Sequence, residues 1–263
     1  MNDLKFLHAF NLIYAVGPAT LIYLRKTFGS YENAWRKTGE LKSAGINERI
    51  IKEIEIKKQL IDPDQELKKI VSAGIWILTD RDGNYPEFLK TISVPPPILY
   101  ARGKIPKLKN PIAIVGSRKA TPYGMQATKK ISGELARAGC EIISGLASGI
   151  DTAAHEAALE EKGITIAVLG SGLDSETIFP PSNRNLAEQI VKNNGALISE
   201  FPPGTPPLKH HFPQRNRTLA VVLSGVIKSE LNEPIYIAPH VLALEELQET
   251  GHSFNNVYLM LIR

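Results

Sequence analysis

Residues 111–159 read PIAIVGSRKATPYGMQATKKISGELARAGCEIISGLASGIDTAAHEAAL. Two short apolar runs, PIAIVG and CEIISG, each end in Gly and Ser, and each is followed by a helix-length segment with apolar residues at 3.6-residue spacing. A run of four to six apolar residues without alternation is a strand buried on both faces. A buried strand followed by an amphipathic helix, then another such pair, predicts a parallel sheet covered by helices. The pattern continues downstream through the strand ITIAVLG at 164–170, the helix NRNLAEQIVKNNG at 183–195 and the strand ALISE at 196–200. The fold class expected is α/β, a Rossmann-like parallel sheet with helices on both faces.

Upstream the pattern changes. Residues 1–60 show helical periodicity only, interrupted at Val16-Gly17-Pro18, Gly29-Ser30 and Ala44-Gly45-Ile46, where Gly and Pro break helices. This predicts a small all-helical domain. Residues 61–110 hold one helix, one short strand GIWILTD and the proline-rich passage SVPPPILYARGKIPKLKNP. Prolines cannot fill a central strand or a helix interior, so this segment reads as a connection packing on the surface of the α/β domain downstream. The expected organisation is 1–60 helical, 61–110 connecting, 111–240 Rossmann-like and 241–263 an atypical tail.

The chain has 263 residues, 43% hydrophobic and 22% charged, with a net charge of +4. This is an ordinary soluble composition, and no apolar run reaches the length of a membrane span. The first residues lack a secretory signal pattern, and the single cysteine, Cys140, has no partner for an internal disulfide; both fit a reducing cytoplasm. Cys140 opens a strand and reads as a buried small residue. Residues 1–60 hold 10 Lys/Arg against 6 Asp/Glu, whereas 221–263 hold 2 against 5. An anionic partner is therefore sought toward the front of the chain.

In sheets of this class ligands bind beyond the carboxyl ends of the strands. Those ends read Gly116-Ser117-Arg118-Lys119, Ser144-Gly145, Gly170-Ser171-Gly172 and Ser199-Glu200. Glycine allows close approach of the backbone, and free amides at the following helix starts favour an anion. The cations Arg118, Lys119, Arg184, Lys209, Arg215 and Arg217, with Asn216, fall near the same edge, and guanidinium groups bind phosphate in a fork. Neither the dinucleotide fingerprint nor the P-loop is present. No metal cluster and no cofactor motif has sensible spacing. Asp151 and His155 share a helix face and are weighed as an acid-base pair, with a structural role preferred. His210 and His211 read as loop histidines before ligands. Phe179 and Phe212 either pack or stack on bases.

Five segments in order, IAIVGSRKATPYG, IISGLASGIDTAAHEAAL, TIAVLGSGLD, FPPSNRNL and LISEFPPGTPPLKHHFPQRNR, resemble the DNA-processing protein A family (DprA, also called Smf). The resemblance implies a non-enzymatic single-stranded DNA binder with a Rossmann-like fold. It further implies roles in competence, natural transformation and DNA recombination: protecting single strands and loading the RecA recombinase, commonly as a homodimer. By the same resemblance Arg118 and the segment holding Arg184 contact DNA, and Arg215, Asn216 and Arg217 form a signature beside the pocket. LIYAVGPATLIYLRKTFGS, at 12–30, resembles a helix-hairpin-helix element, with Ala15 in place of its first glycine. After Ala220 the chain departs from the family pattern and lacks its SGSLITA segment. A diverged deletion and a shifted reading frame are both open readings of the tail. The rival functions are a nucleotide or sugar-phosphate hydrolase using Asp151, His155 or Glu200, and a protein-interaction module whose pocket is vestigial.

Overall fold

The computed structural model describes residues 2–86, 89–90, 94–212, 215–216 and 218–219, together with the backbone of a strand at 259–262. The front of the chain forms α1 (Asn2–Asn11), α2 (Pro18–Phe28), α3 (Tyr31–Arg36), α4 (Glu48–Lys58) and α5 (Pro63–Ser72). The predicted breaks are the helix boundaries. Pro18 sits in the first turn of α2, where its missing N–H is harmless. Gly29 ends α2 in the left-handed conformation, φ 76°, donating its N–H to Arg25. Ser30 then caps α3 by accepting from Asn33 N at 3.1 Å, and Asp62 caps α5 in the same way.

The α/β part follows as β1 (Ile75–Leu78), β2 (Leu99–Gly103), β3 (Pro111–Gly116), α6 (Pro122–Arg137), β4 (Glu141–Ser144), α7 (Ile150–Glu160), β5 (Thr165–Leu169), α8 (Arg184–Lys192), β6 (Ala196–Ser199) and β7 (Leu259–Ile262). The strand order is β1-β2-β6-β5-β4-β3-β7. From β6 to β7 the pairing is parallel, with Ile142 opposite Thr165 and Ile166 opposite Ala196. β4, β5 and β6 are buried along their whole length, as continuous apolar runs require.

The structure adds two features to the expected α/β fold. The sheet is mixed, because β1 and β2 join it antiparallel beside β6. The passage read as an extended surface connection supplies β2, whose Leu99, Tyr100 and Ala101 are fully buried. The triple proline stops at Pro97, so the strand is free to donate its amides on both sides.

The helical front and the sheet share one core. Phe6, Phe10, Leu21, Leu24 and Trp35 from the helices pack continuously with Tyr100, Leu169 and Leu197 from the sheet. Arg25 and Asp80 close the joint with a paired contact at 2.9 and 3.1 Å. The opposite face of the sheet and the α6–α7 layer hold two further clusters. Cys140 is buried in the last of these, and burial raises its thiol pKa. Among the described residues, no helix is long and apolar enough to cross a membrane, and no cluster of His, Cys, Asp or Glu could hold a metal ion.

Candidate nucleic-acid interface at the carboxyl edge of the sheet

The loops after β3 and β4 are folded onto each other. Ile150, the first residue of α7, donates its N–H to Ser117 O at 3.2 Å. This brings the 116–119 loop over the start of α7. Gly149 makes the approach possible. Its φ is +80°, and a Cβ there would lie 2.3 Å from Ser117 O and 3.0 Å from Arg118 C. Gly149→Ala therefore combines a backbone conformation costing about 1–3 kcal/mol with a clash against main chain that cannot yield. The expected result is a loss of at least that stability, together with displacement of Arg118, read by thermal melting and by chemical-shift change at Ser117 and Arg118.

Asp151 organises the second loop from below. Its carboxylate accepts from Gly145 N at 3.1 Å and Ala147 N at 3.3 Å. Burial raises its pKa, opposed by the positive field of Arg215 and by these amide bonds. Asn183 holds the same loop from the side, donating to Leu146 O at 2.9 Å and to Thr152 Oγ1 at 2.8 Å. His155 does not meet Asp151. Its Nδ1 pairs with Thr165 Oγ1 at 2.6 Å, and the residue is fully buried. The weighed acid-base pair is thus two separate structural groups.

The expected site residues divide into a floor and a rim. Ser144 turns its hydroxyl inward to Ile114 O at 2.6 Å. The space above Gly145 is filled by the Arg215 guanidinium: a Cβ at 145 would lie 2.1 Å from its Nη1. Arg215 is buried and donates to Gly145 O at 2.7 Å and to Val168 O. Gly170 lies under the Phe212 ring, and Gly172 is closed over by Asp174 and Gly204. Ser171 is buried and bonds to Gly172 O at 3.2 Å. These residues form the floor.

The rim carries the exposed groups. Arg118, Lys119, Lys209 and Asn216 are exposed, and Gly116, Ser117 and Arg184 are partly so. Lys119 N donates to Ser117 Oγ at 3.1 Å, which tightens the loop. Arg184 donates to Glu176 O at 2.9 Å. Arg217 lies outside the described residues, as does the sequence from 220 to 258 that holds most of the departure from the family pattern.

Aromatic rings accompany these cations. The Arg118 guanidinium lies over the Phe212 ring, 4.7 Å from its centroid, and Phe179 stands 6.3 Å from Phe212. Phe201 stacks on His211 at 4.0 Å. Burial and then His210 hold the His211 imidazole below its ordinary pKa. The positioning role of Asn183 has no counterpart in the sequence reading. Its signal was its place in FPPSNRNL, immediately before Arg184.

A family model described as DNA recombination-mediator protein A matches residues 76–233. Protein Smf of Synechocystis is 38% identical over 231 residues, covering 84% of this chain and 57% of that one. The chain spans about half to three fifths of the length of the first curated relatives it matches. The X-ray structure of DNA processing protein A from Streptococcus pneumoniae superposes with a TM-score of 0.66 at 30% identity, covering 82% of this chain and 74% of that one. DNA processing protein A from Helicobacter pylori, whose structure describes a single-stranded DNA binding mode, matches with a TM-score of 0.53 at 28% identity, over 70% of this chain and 90% of that one.

Proposed function

Because the chain belongs to the DNA recombination-mediator protein A (DprA/Smf) family, which acts in DNA processing, we propose that it binds single-stranded DNA along the carboxyl edge of its sheet. The observation that carries this reading is the exposed Arg118 guanidinium laid over Phe212 at 4.7 Å. The ring holds the guanidinium at the rim by a cation–π contact, so a phosphate-binding cation is positioned there in advance. Lys119, Arg184 and Lys209 add charge along the rim, with the exposed amide of Asn216 beside them; Arg217, outside the described residues, is proposed as a further cation from the family signature alone. Gly116 and Ser117 bring main chain to the strand. Ser144, Gly145, Gly170, Ser171, Gly172 and Arg215 shape the floor that holds these groups in place. Contacts of this kind follow the backbone and carry little base specificity.

A hydrolase is the weaker reading. Asp151 accepts two loop amides and His155 is sealed in the core, so neither reaches a substrate as acid or base. The fuller role, protecting strands in natural transformation and recombination and loading RecA as a homodimer, is proposed from family membership alone.

The test is a titration of labelled single-stranded and duplex oligonucleotides across a salt series. Single strands are expected to bind more tightly, with the logarithm of affinity falling linearly with that of salt. Arg118→Ala should weaken binding about tenfold and reduce the salt slope by about one. Folded protein that binds neither form, or an Arg118→Ala variant with unchanged affinity, would sink the proposal.

A further inference from the structure

The helical front reaches the same edge of the sheet beside β6 through the end of α1. The end of α1 is bolted there: Asn11 Nδ2 donates to Tyr100 Oη at 3.1 Å and to Glu200 O at 3.3 Å, and His8 Nδ1 pairs with Tyr100 Oη at 2.8 Å. The turn that follows is closed by Ile13 N to Phe10 O at 3.0 Å and Val16 N to Ile13 O at 2.8 Å. Ile13 and Val16 are both buried, and the residue after Ile13 is thereby pushed outward. That residue is Tyr14, 79% exposed.

A single exposed aromatic is unremarkable in itself. Tyr14 differs because its ring is held in position at the rim. Its hydroxyl pairs with His210 Nε2 at 3.2 Å, and the two rings meet edge to face at 6.5 Å. His210 in turn lies edge-on to His211, 4.5 Å away. Lys209 is the residue before His210, and Phe212, beneath Arg118, is the residue after His211. Ring contacts link Tyr14 to His210 and His210 to His211, and the chain continues to Phe212 beneath Arg118, across the junction between the helices and the sheet.

Resting on the single-stranded DNA reading above, we propose that Tyr14 is a base-stacking residue and that the helical front forms the far end of the DNA path. A fixed, exposed ring beside a cationic rim is what an unpaired base requires, and it accepts any base because all have a π-face. The buried anchors on either side give the ring a fixed height above the sheet edge, so little ordering is lost when a base lands on it.

The experiment pairs affinity with contact mapping. Oligothymidylate is titrated against wild type, Tyr14→Ala, Tyr14→Phe and Arg118→Ala, and a strand carrying 5-iododeoxyuridine is photocrosslinked to the wild type and the attached peptide mapped. Tyr14→Ala should weaken binding about tenfold, Tyr14→Phe should restore it to within about twofold because the ring remains, and the crosslink should fall on Tyr14. If Tyr14→Ala binds like wild type while Arg118→Ala is weakened, this inference fails and the binding reading stands. Equal loss in the Phe and Ala variants also overturns stacking, since only the hydroxyl contact to His210 would then matter. If wild type does not bind, the underlying reading fails first.

Discussion

Arg215→Met is expected to lower the stability of the fold by about 3–5 kcal/mol, the range for removing one partner of a buried charge set. Three groups depend on this guanidinium. Gly145 O and Val168 O, at the ends of β4 and β5, accept from its Nη1, and Asp151 lies in its field. Desolvation lowers the Arg215 pKa and Asp151 raises it, yet a guanidinium remains charged. Without it, two strand-end carbonyls lose their donor and a buried carboxylate loses its compensating charge. For a chain of this size the midpoint of thermal unfolding should fall by about 10 °C. Methionine keeps most of the stem volume, so the loss reports charge and hydrogen bonding rather than a cavity. Combining the change with Asp151→Asn should cost less than the sum of the two single changes, because the carboxylate no longer needs its partner. An Arg215→Met variant that melts with the wild type would show that the strand ends do not depend on this residue.

That residue also marks the limit of what the sequence made legible. The βα repeats were plain, because buried parallel strands are apolar throughout and their helices are amphipathic. The ends of the front helices were plain because Gly17-Pro18 and Gly29-Ser30 use local capping chemistry. β2 was hidden because three prolines stand just before it, and its burial depends on pairing with β1 and β6, which no local signal reveals. The candidate site was legible as one edge of the sheet, and the contacts among its residues were not. Gly145 reads as room for a phosphate; the room is taken by Arg215, 70 residues on. Arg118 reads as a phosphate ligand, but its seat on Phe212 joins two loops far apart in sequence. Asp151 and His155 share a helix face, and the fold turns them to different partners. Tyr14 is one of eight tyrosines, and nothing local distinguishes it; the contact with His210 bridges 196 residues.

Stability should fall steeply as the pH is lowered from about 6.5, where unfolded imidazoles begin to protonate. Among the described residues three buried histidines resist that protonation in the fold: His211, lowered by burial and then by His210, and the more strongly shifted His8 and His155. Burial lowers His8 to about 4, with Glu66 opposing. Burial and then the field of Arg215 lower His155 to about 3. For His155 the reason is visible in the bonding. Thr165 Oγ1 donates to Ile142 O at 2.7 Å, so it accepts from His155 Nδ1, and Nε2 is left as a buried atom without a partner for an added proton. Because the folded values lie below the unfolded one, the unfolded chain binds more protons in acid. The stabilisation is complete above about pH 6.5, declines as the pH falls, and levels off near the folded values. At pH 4 His8 and His155 should each have withdrawn about 3 kcal/mol, together a large share of the 5–15 kcal/mol of a typical fold. Asp151 acts in the opposite sense, since its raised pKa lets the fold take up a proton before the unfolded chain does, and it offsets part of the loss. Urea denaturation between pH 7 and pH 4.5 measures the slope directly. His8→Gln with His155→Gln should start less stable at pH 7 and flatten the slope by up to two protons. If the double variant loses stability with pH as steeply as the wild type, other groups carry the acid response.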